Sequence, residues 1–264
     1  MSFFKKMLSS IGIGSAKVDT ILQEEQFIPG STVESIVKIF GGKTEQQIED
    51  LYFSLQTSYS DIDTYEDEDG ELIETEVKKI AILDQFKISE PFIIQAGEEI
   101  DIPVSFQLPY YTPLTVGDTK VWLSTGLHIK RGKDPSDKDY IHVIPGPIVS
   151  AMFEAFFEMG FELVSSKSDA ANHHPDGIPF IQEFEFKPVT GPFQYRLEEI
   201  ELICFPKDNQ VESFVEIDRK AKERRGFLNF LTEENETVIR YTTNTSEMSR
   251  ISEELYRIIN KWSE

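Results

Sequence analysis

From about Val18 to Ile129 the apolar residues fall on every second position, the pattern of strands with one dry and one wet face. Leu51, Phe53 and Leu55 alternate with Tyr52, Ser54 and Gln56. Ile80, Ile82, Phe86 and Ile88 share a parity and are expected on one buried face. Ile100, Ile102, Val104, Phe106 and Leu108 form a further inward set, and Val121, Leu123, Leu127 and Ile129 another. Pro29-Gly30, Gly41-Gly42, Asp69-Gly70, Ala96-Gly97 and Val116-Gly117-Asp118 separate these runs as turns. Strand following strand without helices implies antiparallel sheets, so the expected fold class is all-β, built from β-sandwiches.

The period changes at Pro145-Gly146-Pro147. Pro147 suits the first turn of a helix, Gly160 suits its end, and Ile148, Met152, Phe156 and Met159 share one helical face. Strands are expected again around Phe180–Phe186, Ile200–Cys204 and Val211–Ile217. The turn-rich stretch Arg131–Lys138 places a domain boundary there, giving an N-terminal sandwich over 1–132 and a C-terminal one over 133–264. A closing amphipathic helix is expected over about 246–262, because Met248, Ile251, Leu255, Ile258 or Ile259, and Trp262 recur three or four apart. Asn244 and Glu247 suit its start, and its stripe is expected to bury on the body of the protein or on a second copy. Ile48–Leu55 repeats the pattern of Leu197–Cys204, consistent with equivalent strands in two related sandwiches.

With 39% hydrophobic residues and 20 phenylalanines, the 264-residue chain has ample material for packed cores. Its 47 acids against 26 lysines and arginines give a formal charge of -21, which repels phosphate backbones and argues against nucleic acid as a partner. Cys204 is the single cysteine, so no internal disulfide is expected and a reducing compartment fits. The N-terminal apolar stretch is too short and broken for a secretory signal, and no run reaches the roughly 20 apolar residues of a membrane helix. A cytoplasmic location is therefore expected.

The opening Met1–Leu8, Gly12-Ile13-Gly14, Ala16–Thr20 and Pro29-Gly30 resemble the start of the sporulation-control proteins of spore-forming bacteria. Thr125-Gly126-Leu127, Asp134–Ile141, Gln182–Phe186, Gly191-Pro192-Phe193 and Glu216–Arg219 continue the resemblance in family order. It implies two arrestin-like β-sandwich domains and a regulator without a described catalytic centre, working through protein partners.

Candidate chemistry is sparse. Asp61–Glu76 holds nine acids and no base, and reads as a solvated, mobile hairpin loop. Setting Gly70 at position six of a calcium loop places Asp67, Asp69 and Glu76 as ligands, but Tyr65 stands where the first carboxylate is required. His128, His142, His173 and His174 lack the tight paired spacing of zinc ligands, and neither a nucleophile elbow nor a phosphate loop occurs. No cofactor is expected. Two basic stretches interrupt the acidic background: Phe3, Phe4, Lys5 and Lys6 at the N-terminus, and Arg219, Lys220, Lys222, Arg224 and Arg225 later. With Trp262 they are the interaction candidates. The function expected is a non-enzymatic adaptor in sporulation control or a related cell-division programme, the alternative a calcium-responsive or membrane-surface module.

Overall fold

The computed structural model describes residues 14–67, 69–171, 174–219 and 238–263. Strand content dominates, in the arrestin-like arrangement. A three-stranded antiparallel sheet, in the order β1-β2-β6, consists of β1 (Lys17–Leu22), β2 (Thr32–Phe40) and β6 (Glu99–Gln107). It packs on a second sheet containing β3 (Gln46–Glu66), β4 (Leu72–Ile88), β5 (Phe92–Ile94), β7 (Val121–Ile129) and β8 (Ser136–Ile141). Val33, Val37, Ile39 and Val104 face Leu51, Phe53, Leu55 and Leu123 across the dry layer. Phe53 stacks on Phe86 at 4.5 Å and Phe86 tilts onto Phe106 at 5.4 Å, so three rings tie the two sheets together.

The second sheet continues into the C-terminal lobe through β9 (Phe161–Ala170), β10 (Phe180–Pro188), β11 (Leu197–Lys207), β12 (Gln210–Arg219) and β13 (Val238–Asn244). The join is one parallel bridge, Ser60 to Asp169. Two helices cover the inner face of these five strands. Helix α1 (Pro147–Glu158) begins at its proline, as its sequence predicts, and sets Phe153 edge-on to Phe184 and Phe186. Gly160 ends it at φ +88°, where a Cβ would lie 2.4 Å from the Thr190 carbonyl oxygen. Asn244 accepts from the Ser246 N–H and donates to Glu247, but caps a short 3-10 turn, Thr245–Arg250, before helix α2 (Ile251–Trp262). The α2 stripe buries Ile251, Leu255 and Ile259, while Ile258 and Trp262 are only partly buried.

The acidic segment expected as a mobile loop is instead the distal half of a regular two-stranded ribbon. β3 and β4 stay in register from Asp61 opposite Val77 to Glu66 opposite Leu72, roughly 20 Å beyond the sheet at about 3.4 Å per residue. At its tip Asp67 Oδ1 accepts from the Asp69 and Glu71 N–H groups, and Gly70 turns at φ +83°. The acids also find a base just outside the segment, Lys79, whose Nζ lies 2.8 Å from both Asp61 and Asp63. That contact holds the Asp61 carboxyl below its ordinary pKa.

A bulge at Leu83 overturns the expected single face of β4. The register shifts between Leu55 and Gln56, so Ala81 and Leu83 point inward together with Phe86 and Ile88, while Ile80 and Ile82 turn outward. Bulges also mark the repeated segments. Glu49 is the extra residue where β3 meets β7, and Glu198 where β11 meets β12, at the same place in Ile48–Leu55 and Leu197–Cys204. The β7–β8 hairpin spans the 132/133 division, and Val143 still bridges to Phe27. We propose that the division between domains lies at Pro145–Pro147, where pairing with the N-terminal strands has ceased.

At the seam between β1 and β8 the inward side chains are acidic. The Thr20 N–H donates to Asp137, and Asp139 lies against Asp137 and Asp19. Burial, then its hydrogen bond with Asp137, pushes the Asp139 carboxyl up to about 8. The native state therefore holds a proton that the unfolded chain has released, and this contribution to stability is lost as pH rises from about 4 through 8. Asp139→Asn is expected to raise the melting temperature by a few degrees at pH 8.5 and to change it little at pH 4, measured by calorimetry across that range.

Replacing residues 62–75 by a tight turn joining Asp61 to Glu76 should leave the melting temperature within a few degrees of the parent, because Ile62, Tyr65 and Leu72 are exposed. A drop of 10 °C or more would mean that the distal ribbon is packed. In denaturant unfolding, Ile259→Ala is expected to cost about 2–5 kcal/mol, and Trp262→Ala less, since only the isoleucine is fully buried.

Candidate functional site

Two exposed features stand out in this framework. The first is a polar cleft of about 700 Å³ between the lobes, at the parallel bridge. Its walls are Ser58 and Ser60 of β3, Glu74, Glu76 and Lys78 of β4, Asp118 and Thr119 before β7, and Ser166–Ala170 of β9. Strand alternation brings Ser58, Ser60 and Ile62 of β3 to this wall, and Asp61 lines it as well. Ser60 Oγ receives a 2.6 Å hydrogen bond from Lys78 Nζ and donates at 2.8 Å to Glu76. Burial, countered by Lys167 and reinforced by Glu76, raises the Asp169 carboxyl above its ordinary pKa. Hydroxyls, carboxylates and two lysines alternate here, a surface suited to a polar or charged polypeptide.

The second is a row across the outer face of four strands. Ile82 lies opposite Gln56, Gln56 opposite Trp122, and Trp122 opposite Tyr140. Trp122 donates its indole N–H to Gln56 Oε1 at 2.9 Å, packs edge-on to Tyr140 and carries Lys138 Nζ 3.7 Å over its ring. Beside it Ile80 is 62% exposed, Ile82 52% and Tyr140 60%. Large apolar groups gathered on one open sheet face are the form that protein interfaces take. Sequence reasoning missed this row because the bulge at Leu83 reverses the parity of Ile80 and Ile82. Trp122 and Tyr140, both on the polar parity of their strands, were the available signal.

Of the sequence-derived interaction candidates, Arg219 and Trp262 are brought together: Arg219 Nε donates to the Trp262 carbonyl at 2.9 Å. Phe3, Phe4, Lys5, Lys6, Lys220, Lys222, Arg224 and Arg225 lie outside the described residues, as does His173. Asp67, Asp69 and Glu76 do not converge. Asp67 and Asp69 sit in the ribbon turn, while Glu76 is opposite Ile62, about 17 Å along the strand at 3.4 Å per residue from Glu71. The flanks are strands, whereas that calcium motif needs helices. Among the described residues no three histidine, cysteine or acidic side chains are placed to hold a metal ion. His128 lies 3.0 Å from Asp134 and 3.4 Å from Glu49, and the Asp134 hydrogen bond raises its pKa. His142 is exposed, and His174 is far down the other lobe's seam. Burial pushes the Cys204 thiol up to about 12, so it is protonated and a poor nucleophile at neutral pH. No described helix is long and apolar enough to cross a membrane.

The SpoOM protein family model matches residues 4–221. The sporulation-control protein spo0M of Bacillus subtilis (strain 168) is 37% identical over 267 residues, covering all of both chains. The crystal structure of Spo0M from Bacillus subtilis superposes with a TM-score of 0.80 at 35% identity, over 95% of this chain and all of that one.

Proposed function

Because the chain belongs to the Spo0M family of sporulation-control proteins, we propose that it is a non-enzymatic regulatory adaptor acting in the cytoplasm by binding other proteins. The observation that carries this reading is the outer-face row of Ile82, Gln56, Trp122 and Tyr140, with Ile80 beside it. Exposed apolar side chains occur elsewhere too, Leu72 and Tyr195 among them, but here two isoleucines and a tyrosine stand in water together on one sheet face. Tyrosine is among the residues enriched at binding hot spots, and Tyr140 is the exposed aromatic of this row, held from beneath by Trp122. The polar cleft between the lobes supplies a second contact of different character, so one partner segment can engage both lobes. The calcium-responsive alternative loses its support once Asp67, Asp69 and Glu76 are seen to lie apart. The membrane-surface alternative rests on residues 3–6, outside the described part of the chain.

The double variant Ile80→Lys/Ile82→Lys tests the reading, since both side chains point into solvent and their replacement removes no core packing. It is expected to melt within a few degrees of the parent, to fail to complement sporulation in a strain lacking the endogenous protein, and to lose partners recovered by crosslinking. Full complementation by this variant would exclude the row as the working surface. A null phenotype from a folded His128 or His142 variant would instead point to chemistry and away from an adaptor.

A further inference from the structure

A cavity of about 120 Å³ lies where residues 110–114 of the N-terminal lobe meet the β9–β10 connection, the β11–β12 hairpin and the start of α1. It is distinct from both surfaces described above. The seam around it is firmly held: Gln182 accepts from the Leu114 N–H at 2.7 Å and returns a hydrogen bond to the Leu114 carbonyl at 2.8 Å. Ile148, Val149, Ile178, Phe180 and Phe184 supply apolar wall. An enclosed apolar cavity of about 150 Å³ admits benzene; this one is somewhat smaller but open to solvent on one side, so it suits at most a single ring seated at its mouth or a group of that size.

Two polar groups at this wall decide what such an occupant must carry. Thr112 is 3% exposed, and its hydroxyl has no partner among the described residues. A buried hydroxyl without a partner is uncommon in folded proteins. His174 is wedged edge-on between Tyr111 and Phe205 and accepts the Asp176 N–H at Nδ1, which places its proton on Nε2. Burial lowers its pKa, keeping the ring neutral. The wall thus offers neutral donors. Among the described residues no lysine or arginine lines it, and Asp176 and Asp208 at its border disfavour an anion.

We propose that this cavity is a binding site for a small neutral molecule, a single ring or its equivalent bearing one hydrogen-bond acceptor. Its walls come from both lobes, so the ligand binds this arrangement of the lobes better than any arrangement that opens the seam. It stabilises the protein by mass action and gives the lobes a small-molecule control.

Acetophenone, which carries a ring and a carbonyl, and toluene, which carries only the ring, test the site by titration into methyl-labelled protein followed by NMR. Both are expected to shift the methyl signals of Ile148, Val149, Ile178 and Ile181, with acetophenone the tighter. Thr112→Val keeps the shape of the side chain, and should weaken acetophenone roughly fivefold while leaving toluene within twofold, the scale of one neutral hydrogen bond. Ile178→Phe fills the space and should abolish both titrations; Val149→Ile serves if that variant does not fold. Shifts that are absent at millimolar probe, or spread over the surface, overturn the site. Binding of both probes that ignores Thr112→Val overturns the acceptor requirement.

Discussion

The structure depends on one strand. β3 is 21 residues long and hydrogen-bonds with β4, β5, β7 and β9 along different parts of its length. Its first half closes the N-terminal sandwich, it touches the C-terminal lobe at Ser60, and its last six residues leave the sheet paired, among the described residues, with β4 alone. A strand shared in this way cannot slip in one place without changing pairing in the others. The bulges at Glu49 and Leu83 reconcile these demands, each moving the register by one residue where the partner changes what it requires.

Much of this was legible in the chain, for reasons that differ by element. Period-two runs marked the strands because each has one dry face, and Pro147 and Gly160 bracketed α1 because their backbone preferences act locally. Asn244 and Glu247 likewise announced the turn into α2. The outward rotation of Ile80 and Ile82 was hidden, since a bulge is a property of two paired strands and leaves no mark in one. The acidic ribbon was mistaken for a loop for a related reason: its charges sit on exposed strands and are met by Lys79, which lies beyond the segment. The choice between Ile258 and Ile259 fell to packing against α1, because neighbouring positions fit a 3.6-residue period equally well. Of the candidate surfaces, the interlobe cleft was out of reach, as Ser60 and Asp169 meet only in the folded sheet.

Acidity shapes the protein beyond its solubility. With a formal charge of -21, carboxylates cannot all be placed in water far from one another. Glu183 and Glu201, outward on neighbouring strands of the C-terminal sheet, are pushed up by burial to about 7 and about 8, with the Asp169 charge next for Glu183 and the Glu183 charge next for Glu201. Together with Asp139 they make protonation part of the folded state near neutral pH, at the outer C-terminal sheet face and at the β1–β8 seam.

The stacking of Lys138 on Trp122 also gives the molecule a built-in optical reporter. There are two tryptophans, Trp122 buried beneath Lys138 and Tyr140 in the outer-face row and Trp262 near the end of α2, so the emission separates into a sheet signal and a helix signal. An ammonium held 3.7 Å above an indole perturbs its excited state, and anything that displaces Lys138 alters colour and yield together. With Trp262 changed to phenylalanine, the remaining tryptophan fluorescence reports the surroundings of Trp122 alone, in the unlabelled protein and in real time.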